Sequence, residues 1–191
     1  MILIIDNYDS FTYNIVQYVG CITEKIEIFK NDLLPVDKIE NNYYSHIIIS
    51  PGPGNPTNAG KCIQIIKNFY KSIPILGICL GHQAIGEAFG ATISKHDLVV
   101  HGKVSQIFND NKSILYKNIP DVFKGTRYHS LIINKNTIPS DLIINAWLSD
   151  RAVMGIEHKN YPLFGVQFHP ESIKTKYGER IIKNFLETKV I

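Results

Sequence analysis

The segment Gly77-Ile78-Cys79-Leu80-Gly81 lies between an apolar run and a helix-forming segment, and it indicates the fold of this chain. The run that leads into it, Ile73–Ile78, has no polar alternation and is typical of a strand buried on both faces of a parallel sheet. The flanking glycines suggest a turn in which backbone approaches backbone too closely to admit a side chain. Such a strand-to-helix turn would expose its central residue, Cys79, at the end of a buried strand.

Strands and helices alternate on the N-terminal side of this turn. Strands are predicted at Met1–Asp6, Lys25–Lys30 and His46–Ser50. A helix capped by Ser10 or Asp9 follows the first strand, and a helix capped by Asn58, with Ile63, Ile66 and Phe69 on its apolar face, follows the third. This alternation implies right-handed crossovers and an α/β fold with a doubly wound, mostly parallel sheet that carries helices on both faces.

After Gly90 the pattern changes to short segments bounded by turns. The elements predicted there are four antiparallel strands, a further strand and an amphipathic helix: Val99–Phe108, Arg127–Asn134, Leu142–Leu148, Val153–His158, Leu163–His169 and Tyr177–Leu186. We therefore expect a small antiparallel β region in the second half of the chain. The 191 residues show no repeat or linker and suffice for one well-buried core, so we predict a single domain over residues 1–191.

Composition excludes several classes of function. The chain is 45% hydrophobic and 19% charged with a net charge of +3, and its lysines are scattered, so we expect no nucleic-acid interface. No apolar run approaches the roughly 20 residues needed to cross a bilayer, so we expect no membrane span. No histidines or cysteines fall at a familiar ligand spacing such as H-E-x-x-H or C-x-x-C, and we therefore expect no metal.

Cysteine usage and the first residues suggest a compartment. Three cysteines are an odd number in a chain with a good core, which argues against a disulfide framework and for a reducing environment. The first predicted strand begins so early that we expect no targeting peptide. The excess of Ile over Leu and of Lys over Arg fits an A/T-rich bacterial or organellar genome. We expect the cytoplasm or the plastid stroma.

Cys79 is the candidate nucleophile. The helix start that follows it supplies free N–H groups and positive dipole charge, both of which favour a thiolate. The alternative is that Cys79 is a small buried apolar residue, which is the usual environment of a free cysteine. Cys62 lies inside a helical pattern and Cys21 lies at a helix end, and both are interpreted as structural.

His169 is the candidate base among seven histidines. In the segment Gly165-Val166-Gln167-Phe168-His169-Pro170-Glu171, residues 169 and 171 would lie on one face of a strand, and Pro170 would place them at its end. A carboxylate that orients a histidine is the arrangement that activates a nucleophile. The segment alone would be interpreted as a strand terminus, but together with Cys79 it favours a catalytic pair.

A cysteine hydrolase also needs donors for the oxyanion of its intermediate. We expect the N–H of Leu80, directly after the nucleophile, and the N–H of Gly52, in the loop Pro51-Gly52-Pro53-Gly54 after the third strand. A phosphate-binding loop is the alternative interpretation. However, the loop lacks the Lys-Ser/Thr ending of a P-loop, and its prolines lack the N–H groups that a phosphate cradle requires.

Taken together, these motifs resemble those of the class I (triad) glutamine amidotransferases. The resemblance rests on three segments in this order: Ser-Pro-Gly-Pro-Gly at 50–54, Gly-Ile-Cys-Leu-Gly-His-Gln at 77–83 and Phe-His-Pro-Glu-Ser at 168–172. Asp-Asn-Tyr-Asp-Ser-Phe-Thr at 6–12 and Arg-Tyr-His-Ser-Leu at 127–131 are similar to the glutaminase subunit of anthranilate synthase and its aminodeoxychorismate synthase paralogue. The departures, Val99-Val100 before His101 and a short segment at Cys21–Glu24, do not touch the triad.

The resemblance implies roles for individual residues. Cys79 would attack the side-chain amide of glutamine, His169 would act as base and acid, and Glu171 would orient His169. The residues implied in glutamine binding are Gly52, Pro53, Gly54, Gln83, Ser130 and Leu131. No cofactor is implied.

The resemblance also implies a partner. The chain has no room for a second site that handles chorismate, so we expect a hetero-oligomer with component I of anthranilate synthase, the chorismate-binding subunit. The ammonia released from glutamine would serve anthranilate formation in tryptophan biosynthesis. The segment Tyr8-Asp9-Ser10 is a candidate contact surface, with a simple helix cap as its alternative interpretation.

Three other functions stay open at this point. The chain could be the glutaminase of aminodeoxychorismate synthase, in the folate pathway, or a subunit shared by both enzymes. It could be a free-standing cysteine hydrolase or peptidase of the same fold. A non-catalytic regulatory subunit is the third, and the complete set of triad residues argues against it.

Overall fold

The computed structural model describes residues 1–96 and 101–190. Its strands and α-helices are, in chain order, β1 (Ile2–Asp6), α1 (Thr12–Gly20), β2 (Ile26–Lys30), α2 (Val36–Glu40), β3 (His46–Ile49), α3 (Cys62–Phe69), β4 (Ile75–Ile78), α4 (Leu80–Ala88), β5 (Ile93–Lys95), β6 (Lys103–Asn109), β7 (Val122–Arg127), β8 (Leu131–Ile133), β9 (Leu142–Trp147), β10 (Val153–His158), β11 (Leu163–Val166) and α5 (Gly178–Leu186). The described residues also include three short 3-10 helices, at Pro56–Asn58, Ile114–Tyr116 and Lys135–Thr137.

The main sheet is built on a group of neighbouring parallel strands. Within the described residues, nine strands join in the order β2-β1-β3-β4-β11-β10-β9-β6-β7, and the first five of these run parallel. The carboxyl ends of β1, β3, β4 and β11 therefore meet at one edge, which is where open α/β sheets bind ligands. The doubly wound α/β prediction is confirmed.

The two faces of the sheet are covered by different helices. In β1, Leu3 and Ile5 pack into the same core cluster as α3 and α4, whereas Ile2 and Ile4 pack with α1 and α5 on the opposite side. Side chains alternate across a strand, so an apolar run serves both faces at once. Burying each such isoleucine stabilises the fold by roughly 1.5–3 kcal/mol.

The antiparallel region is larger than the sequence suggested. Strand β10 pairs antiparallel with β11 and β9, and β6 pairs antiparallel with β9 and β7, so these strands extend the main sheet. A separate two-stranded sheet is formed by β5 and β8. Of these strands, β5 was not predicted and β7 was predicted only at its last residue, Arg127; helix α2 was not predicted either.

Two helix caps were predicted wrongly. Helix α1 starts after Phe11, which makes no side-chain cap bond, and the Asp9 carboxylate accepts the Phe11 N–H at 2.8 Å instead. Helix α3 starts after Lys61, because Asn58 ends a separate 3-10 helix. Gly60, with a left-handed backbone at φ +55°, lies between the 3-10 helix and α3. The buried face of α3 consists of Cys62, Ile65, Ile66 and Phe69, and Ile63 is only partly buried.

Three strand boundaries also differ. Strand β11 ends at Val166, before the predicted His169. The predicted strand Arg127–Asn134 is divided between the end of β7 and β8, since residues 128–130 turn away from the sheet. The predicted strand Val99–Phe108 corresponds to β6, and its first two residues lie outside the described part of the chain.

The helices are short, and the cysteines are not paired. No helix in the described ranges has the length and apolar character that a membrane crossing demands. All three cysteines are free thiols: Cys21 is exposed, and Cys62 and Cys79 are buried.

Candidate active site

Cys79 occupies a strained turn between β4 and α4. Its backbone has φ +52° and ψ −98°, a conformation that residues with a side chain rarely adopt and that is associated with functional sites. A Cβ at Gly77 would overlap the carbonyl of Gly81, and a Cβ at Gly81 would lie 2.6 Å from the carbonyl oxygen of Ile49. Both glycines are therefore required by close backbone contacts, for the reason expected from the sequence.

His169 and Glu171 form a buried pair at the same edge of the sheet. Nδ1 of His169 lies 2.6 Å from Oε1 of Glu171, and the two side chains are 3% and 0% exposed. The two residues lie beyond the end of β11, so strand alternation is not what aligns them. His169 instead forms an isolated bridge with Thr126, whose carbonyl accepts its N–H, and the Thr175 hydroxyl donates to the His169 carbonyl at 2.6 Å.

The surroundings favour a positively charged His169. Burial opposes the imidazolium, but the negative charge of Glu171, together with hydrogen bonding to Cys79 and Glu171, outweighs it and raises the pKa of His169 well above the ordinary value of 6.5. With Nδ1 held by Glu171, Nε2 is the ring nitrogen left for chemistry. No acceptor in the described residues has good hydrogen-bond geometry to it.

Cys79 and His169 meet at this site, as the sequence analysis required. The Cys79 thiol lies close enough to contribute to the raised pKa of His169, although the two groups do not form a regular hydrogen bond. Such alignment is common before substrate binds. The Cys79 N–H also donates to the carbonyl of Val166 at 2.8 Å, which joins the turn to β11, the strand that leads to His169.

A small cleft opens beside Cys79. Its volume is about 160 Å³, and its lining comprises the candidate nucleophile, the candidate oxyanion and glutamine-binding residues, and two neighbours: Gly52, Pro53, Gly54, Cys79, Leu80, Gln83, Tyr128, His129, Ser130 and Leu131. Pockets for drug-sized ligands are typically at least 300 Å³. A cleft of this size suits a molecule as small as an amino acid.

The candidate oxyanion donors lie side by side in this cleft. Leu80 is the first residue of α4, so its N–H has no acceptor within the helix. A Cβ at Gly52 would lie 2.7 Å from the Leu80 side chain and 2.9 Å from the Asn7 carbonyl oxygen. The loop that carries Gly52 can therefore approach Leu80 only because residue 52 has no side chain.

Gln83 also lines the cleft and is held by two hydrogen bonds. Its Nε2 donates to the Leu131 carbonyl at 3.0 Å and to Oε1 of Gln167 at 3.1 Å. Both amide protons are thus engaged within the protein, and Oε1 is the atom left to accept a hydrogen bond from a ligand. This arrangement fixes Leu131, a predicted glutamine-binding residue.

Sequence reasoning missed Gln167 and Asn7. Nε2 of Gln167 lies 3.5 Å from Sγ of Cys79 and donates to it. Asn7, which is buried, bonds the Ser50 carbonyl at 2.8 Å and the Ser50 hydroxyl at 2.9 Å, and so holds the loop before Gly52. Gln167 stands two residues before His169, and Asn7 directly follows β1, so their positions offered a signal for both.

Two other histidines near the site are held neutral. Burial lowers the pKa of His82 to about 3. Burial also lowers the pKa of His129 to about 3, reinforced by the positive charge of Arg127, whose guanidinium lies 3.5 Å from His129 Nε2. In residues 1–96 and 101–190 no three His, Cys, Asp or Glu side chains are grouped so that they could hold a metal ion.

The chain is similar to known proteins over nearly its whole length. Residues 3–189 match the family described as glutamine amidotransferase class-I. The chain is 50% identical to anthranilate synthase component 2 of Cyanophora paradoxa over 97% of this chain and 98% of that protein. It is 45% identical to aminodeoxychorismate/anthranilate synthase component 2 of Bacillus subtilis over 98% of this chain and 96% of that protein.

Two further relatives differ in length or in sequence distance. The chain is 46% identical to the bifunctional protein TrpGD of Thermotoga maritima, but spans only 32% of that protein. Among solved structures, a putative GMP synthase subunit from Thermoplasma acidophilum superimposes with a TM-score of 0.84 at 26% identity, over 97% of this chain and 91% of that one.

Proposed function

This chain belongs to the class-I glutamine amidotransferase family, and we propose that it releases ammonia from glutamine for a chorismate-aminating partner subunit. The observation that carries the proposal is the convergence of three groups on one small cleft. Cys79, on its strained turn, lines the cleft together with Gly52 and Leu80, and the buried His169–Glu171 pair lies close to the Cys79 thiol.

The first half of the reaction uses the charge on His169. The Cys79 thiolate attacks the side-chain amide carbon of glutamine, and the N–H groups of Gly52 and Leu80 stabilise the oxyanion. Nε2 of His169 then donates its proton to the departing nitrogen, so the C–N bond breaks and ammonia leaves. A glutamyl thioester remains on Cys79. The raised pKa of His169 supports this step, since the imidazole is already protonated when the amide arrives.

The second half regenerates the enzyme. After giving up its proton, His169 is a base that removes a proton from water, and the resulting hydroxide attacks the thioester carbonyl. The C–S bond breaks, glutamate leaves, and the thiolate and imidazolium are restored. Glu171 supports both halves because its bond to Nδ1 stabilises the imidazolium and leaves Nε2 as the nitrogen that transfers protons.

The partner assignment rests on the relatives. Proteins 50% and 47% identical to this chain over at least 97% of its length are each named anthranilate synthase component 2. Ammonia released into bulk water at neutral pH becomes ammonium, which is not a nucleophile, so the amidating site has to be docked against this one. A component I subunit that binds chorismate and makes anthranilate, for tryptophan biosynthesis, meets this need.

A second candidate has one observation in its favour. The Bacillus subtilis relative carries both names, aminodeoxychorismate and anthranilate synthase component 2, at 45% identity. A chain that serves two synthases needs a docking face that accepts both. The site chemistry is the same in either case, so the two candidates differ only in the partner.

Co-purification tests this proposal. The chain is tagged and expressed in its host, and the bound synthase partner is identified by mass spectrometry and assayed with chorismate and glutamine. We expect a partner that forms anthranilate, and we expect glutaminase activity that rises strongly when partner and chorismate are added. Recovery of only an aminodeoxychorismate-forming partner would overturn the anthranilate assignment. Full glutaminase activity without any partner would instead favour a free-standing hydrolase.

A further inference from the structure

Two aromatic rings from distant parts of the chain, Phe11 and Tyr128, meet at the candidate base His169. The Tyr128 ring centroid lies 5.0 Å from that of His169 at an interplanar angle of 74°, and the Phe11 centroid lies 5.7 Å from it at 71°. Phe11 and Tyr128 also contact each other, at 5.1 Å. The contacts of Phe11 and of Tyr128 with His169 both have the edge-to-face geometry that aromatic pairs favour.

We infer that Phe11 and Tyr128 are positioning residues that clamp the His169 imidazole so that its Nε2 faces Cys79. This inference rests on the proposed function. Neither side chain takes part in bond making. Each limits the rotation of a ring that Glu171 holds at one atom only, and a single hydrogen bond through Nδ1 leaves the plane of the ring free to tilt.

The two rings also separate His169 from solvent. A second cavity of about 340 Å³ is lined by Phe11, Tyr128 and Glu171 among other residues, and His169 is not part of its lining. Tyr128 lines both this cavity and the glutamine cleft, whereas Phe11 lines only the second cavity. Phe11 and Tyr128 are half-buried while His169 is 2% exposed, so the clamp covers the base.

Each ring is held by a different element. Phe11 directly precedes α1, and its N–H is fixed by Asp9, while Asp6 accepts from the Asp9 N–H at 3.1 Å and from the Thr12 hydroxyl at 3.0 Å. Tyr128 follows β7 and packs on His101, with ring centroids 5.3 Å apart. The clamp is thus built from the start and the middle of the chain, around a histidine near its end.

The titratable groups that face His169 explain why excluding water from the imidazole would matter. These groups are the Glu171 carboxylate, the Cys79 thiol, the neutral His129 ring and the phenol of Tyr128. Water that entered from the second cavity would screen the attraction between His169 and Glu171 and would allow the ring to turn. Phe11 offers the cleaner test, because it does not line the glutamine cleft.

The test measures the reactivity of Cys79 with iodoacetamide as a function of pH, read for each cysteine by peptide mass spectrometry. The variants are Phe11→Leu and Tyr128→Leu, with Phe11→Tyr and Tyr128→Phe as ring-preserving rescues. Tyr13→Leu, on the exposed side of α1 at 63% exposure, is the matched control. The chain supplies two internal standards: exposed Cys21, and Cys62, whose pKa burial raises to about 12.

We expect both leucine variants to lower the Cys79 labelling rate at neutral pH by about 2- to 10-fold, the range for one lost aromatic pair, and to alter its pH profile. The rescues and Tyr13→Leu should match the wild type. In the complex with its synthase partner, Phe11→Leu should lower the glutamine-dependent kcat and leave the KM for glutamine unchanged. Unchanged labelling profiles in both leucine variants would overturn the clamp.

The design separates failure of the clamp from failure of the proposed function. His169→Ala is labelled alongside the other variants. If it leaves the Cys79 rate and pH profile at wild-type values, the Cys79–His169 pair does not operate and the proposed function falls. If His169→Ala lowers the rate while Phe11→Leu and Tyr128→Leu do not, only the clamp is wrong. Should one leucine variant fail to fold, the other carries the test.

Discussion

His169 Nδ1 and Glu171 Oε1 lie 2.6 Å apart, with both side chains withdrawn from solvent. A buried carboxylate against a buried imidazole stabilises the charged ring, because the attraction is strong where water is excluded. Nε2 is then the only ring nitrogen available to Cys79 and to the substrate. The direction of proton transfer in the proposed reaction follows from this pair.

His169 is therefore expected to be protonated at neutral pH in the free chain, whereas His82 and His129 stay neutral because burial lowers the pKa of each to about 3. Histidine NMR titration with assigned ring resonances measures all three. Ring signals of His169 that titrate at or below about 6.5, the value of an unperturbed histidine, would contradict the raised pKa.

The same pKa predicts how stability depends on pH. The folded-state pKa of His169 is raised above its unfolded value, so its stabilisation is fully present below about 6.5 and is lost as pH rises through the folded pKa. Urea unfolding of the wild type and of His169→Gln should differ most on the acidic side of that window. A stability difference that grows with rising pH would have the wrong sign.

Gly52→Ala should lower glutamine-dependent turnover by about 10²- to 10³-fold, the typical cost of losing one oxyanion donor. The added Cβ would lie 2.5 Å from Asn7 Cβ and 2.7 Å from the Leu80 side chain, which forces the loop and its N–H away from the cleft. Steady-state kinetics of the complex with glutamine, and separately with ammonia, measure the effect.

The matched control for this substitution is Gly20→Ala, where a Cβ meets nothing within 4 Å. Gly20→Ala should keep wild-type turnover with either nitrogen source, and Gly52→Ala should keep the ammonia-dependent rate. Gly52→Ala turnover with glutamine within twofold of wild type would remove Gly52 from the oxyanion site.

Gln83→Glu should raise the KM for glutamine by about tenfold. The substitution removes the donor to the Leu131 carbonyl and to Gln167 Oε1, and it sets a carboxylate against those two oxygens, at a cost of about 1–3 kcal/mol. Because Leu131 lines the cleft, the loss weakens binding. Glutamine titrations of the complex give the KM, and an unchanged value would mean that Leu131 is held by other contacts.

Asp6→Asn should destabilise the fold by about 1–3 kcal/mol, because hydrogen bonds to a charged group are lost. Asp6 is buried and accepts from the Lys30 ammonium at 2.5 Å, from the Asp9 N–H and from the Thr12 hydroxyl. Burial acts to raise the pKa of Asp6, but these partners outweigh it and lower the pKa. Urea unfolding at neutral pH measures the loss.

The lowered pKa of Asp6 also predicts how its contribution to the free energy of unfolding changes with pH. A lowered folded pKa means that the Asp6 contribution is present above about 4 and disappears as pH falls through the folded value. The control is Asp32→Asn, an exposed carboxylate bonded to the Tyr8 hydroxyl, which should cost about 0.5 kcal/mol or less. Equal losses in both variants would show that the Asp6 network contributes no more than a surface contact.

Much of the fold followed from local sequence signals. Unalternated apolar runs identified β1, β3 and β4, because a strand covered on both faces has no polar side. The glycines around Cys79 predicted the strained turn, since close backbone contacts leave no alternative residue. These signals arise within a few residues of one another, and a single sequence contains them.

Other features depend on contacts between distant segments. Strand β7 carries Lys124 and Gly125 and has no clean alternation, so only its pairing with β6 defines it. His169 and Glu171 were expected to align by strand periodicity, but the Thr126 bridge and the Thr175 hydroxyl hold His169 instead. The aromatic clamp joins residues 11, 128 and 169, a meeting that no local pattern encodes.

The central claim is that the sulfur of Cys79 carries the glutamyl group between release of ammonia and release of glutamate. The most direct measurement is rapid acid quenching of the complex during turnover with glutamine, followed by peptide mass spectrometry. We predict a mass increase of one glutamyl group on the peptide that contains Cys79, and no such adduct in Cys79→Ser. An adduct on Cys21 or Cys62, or glutamine hydrolysis at the wild-type rate in Cys79→Ser, would contradict the account.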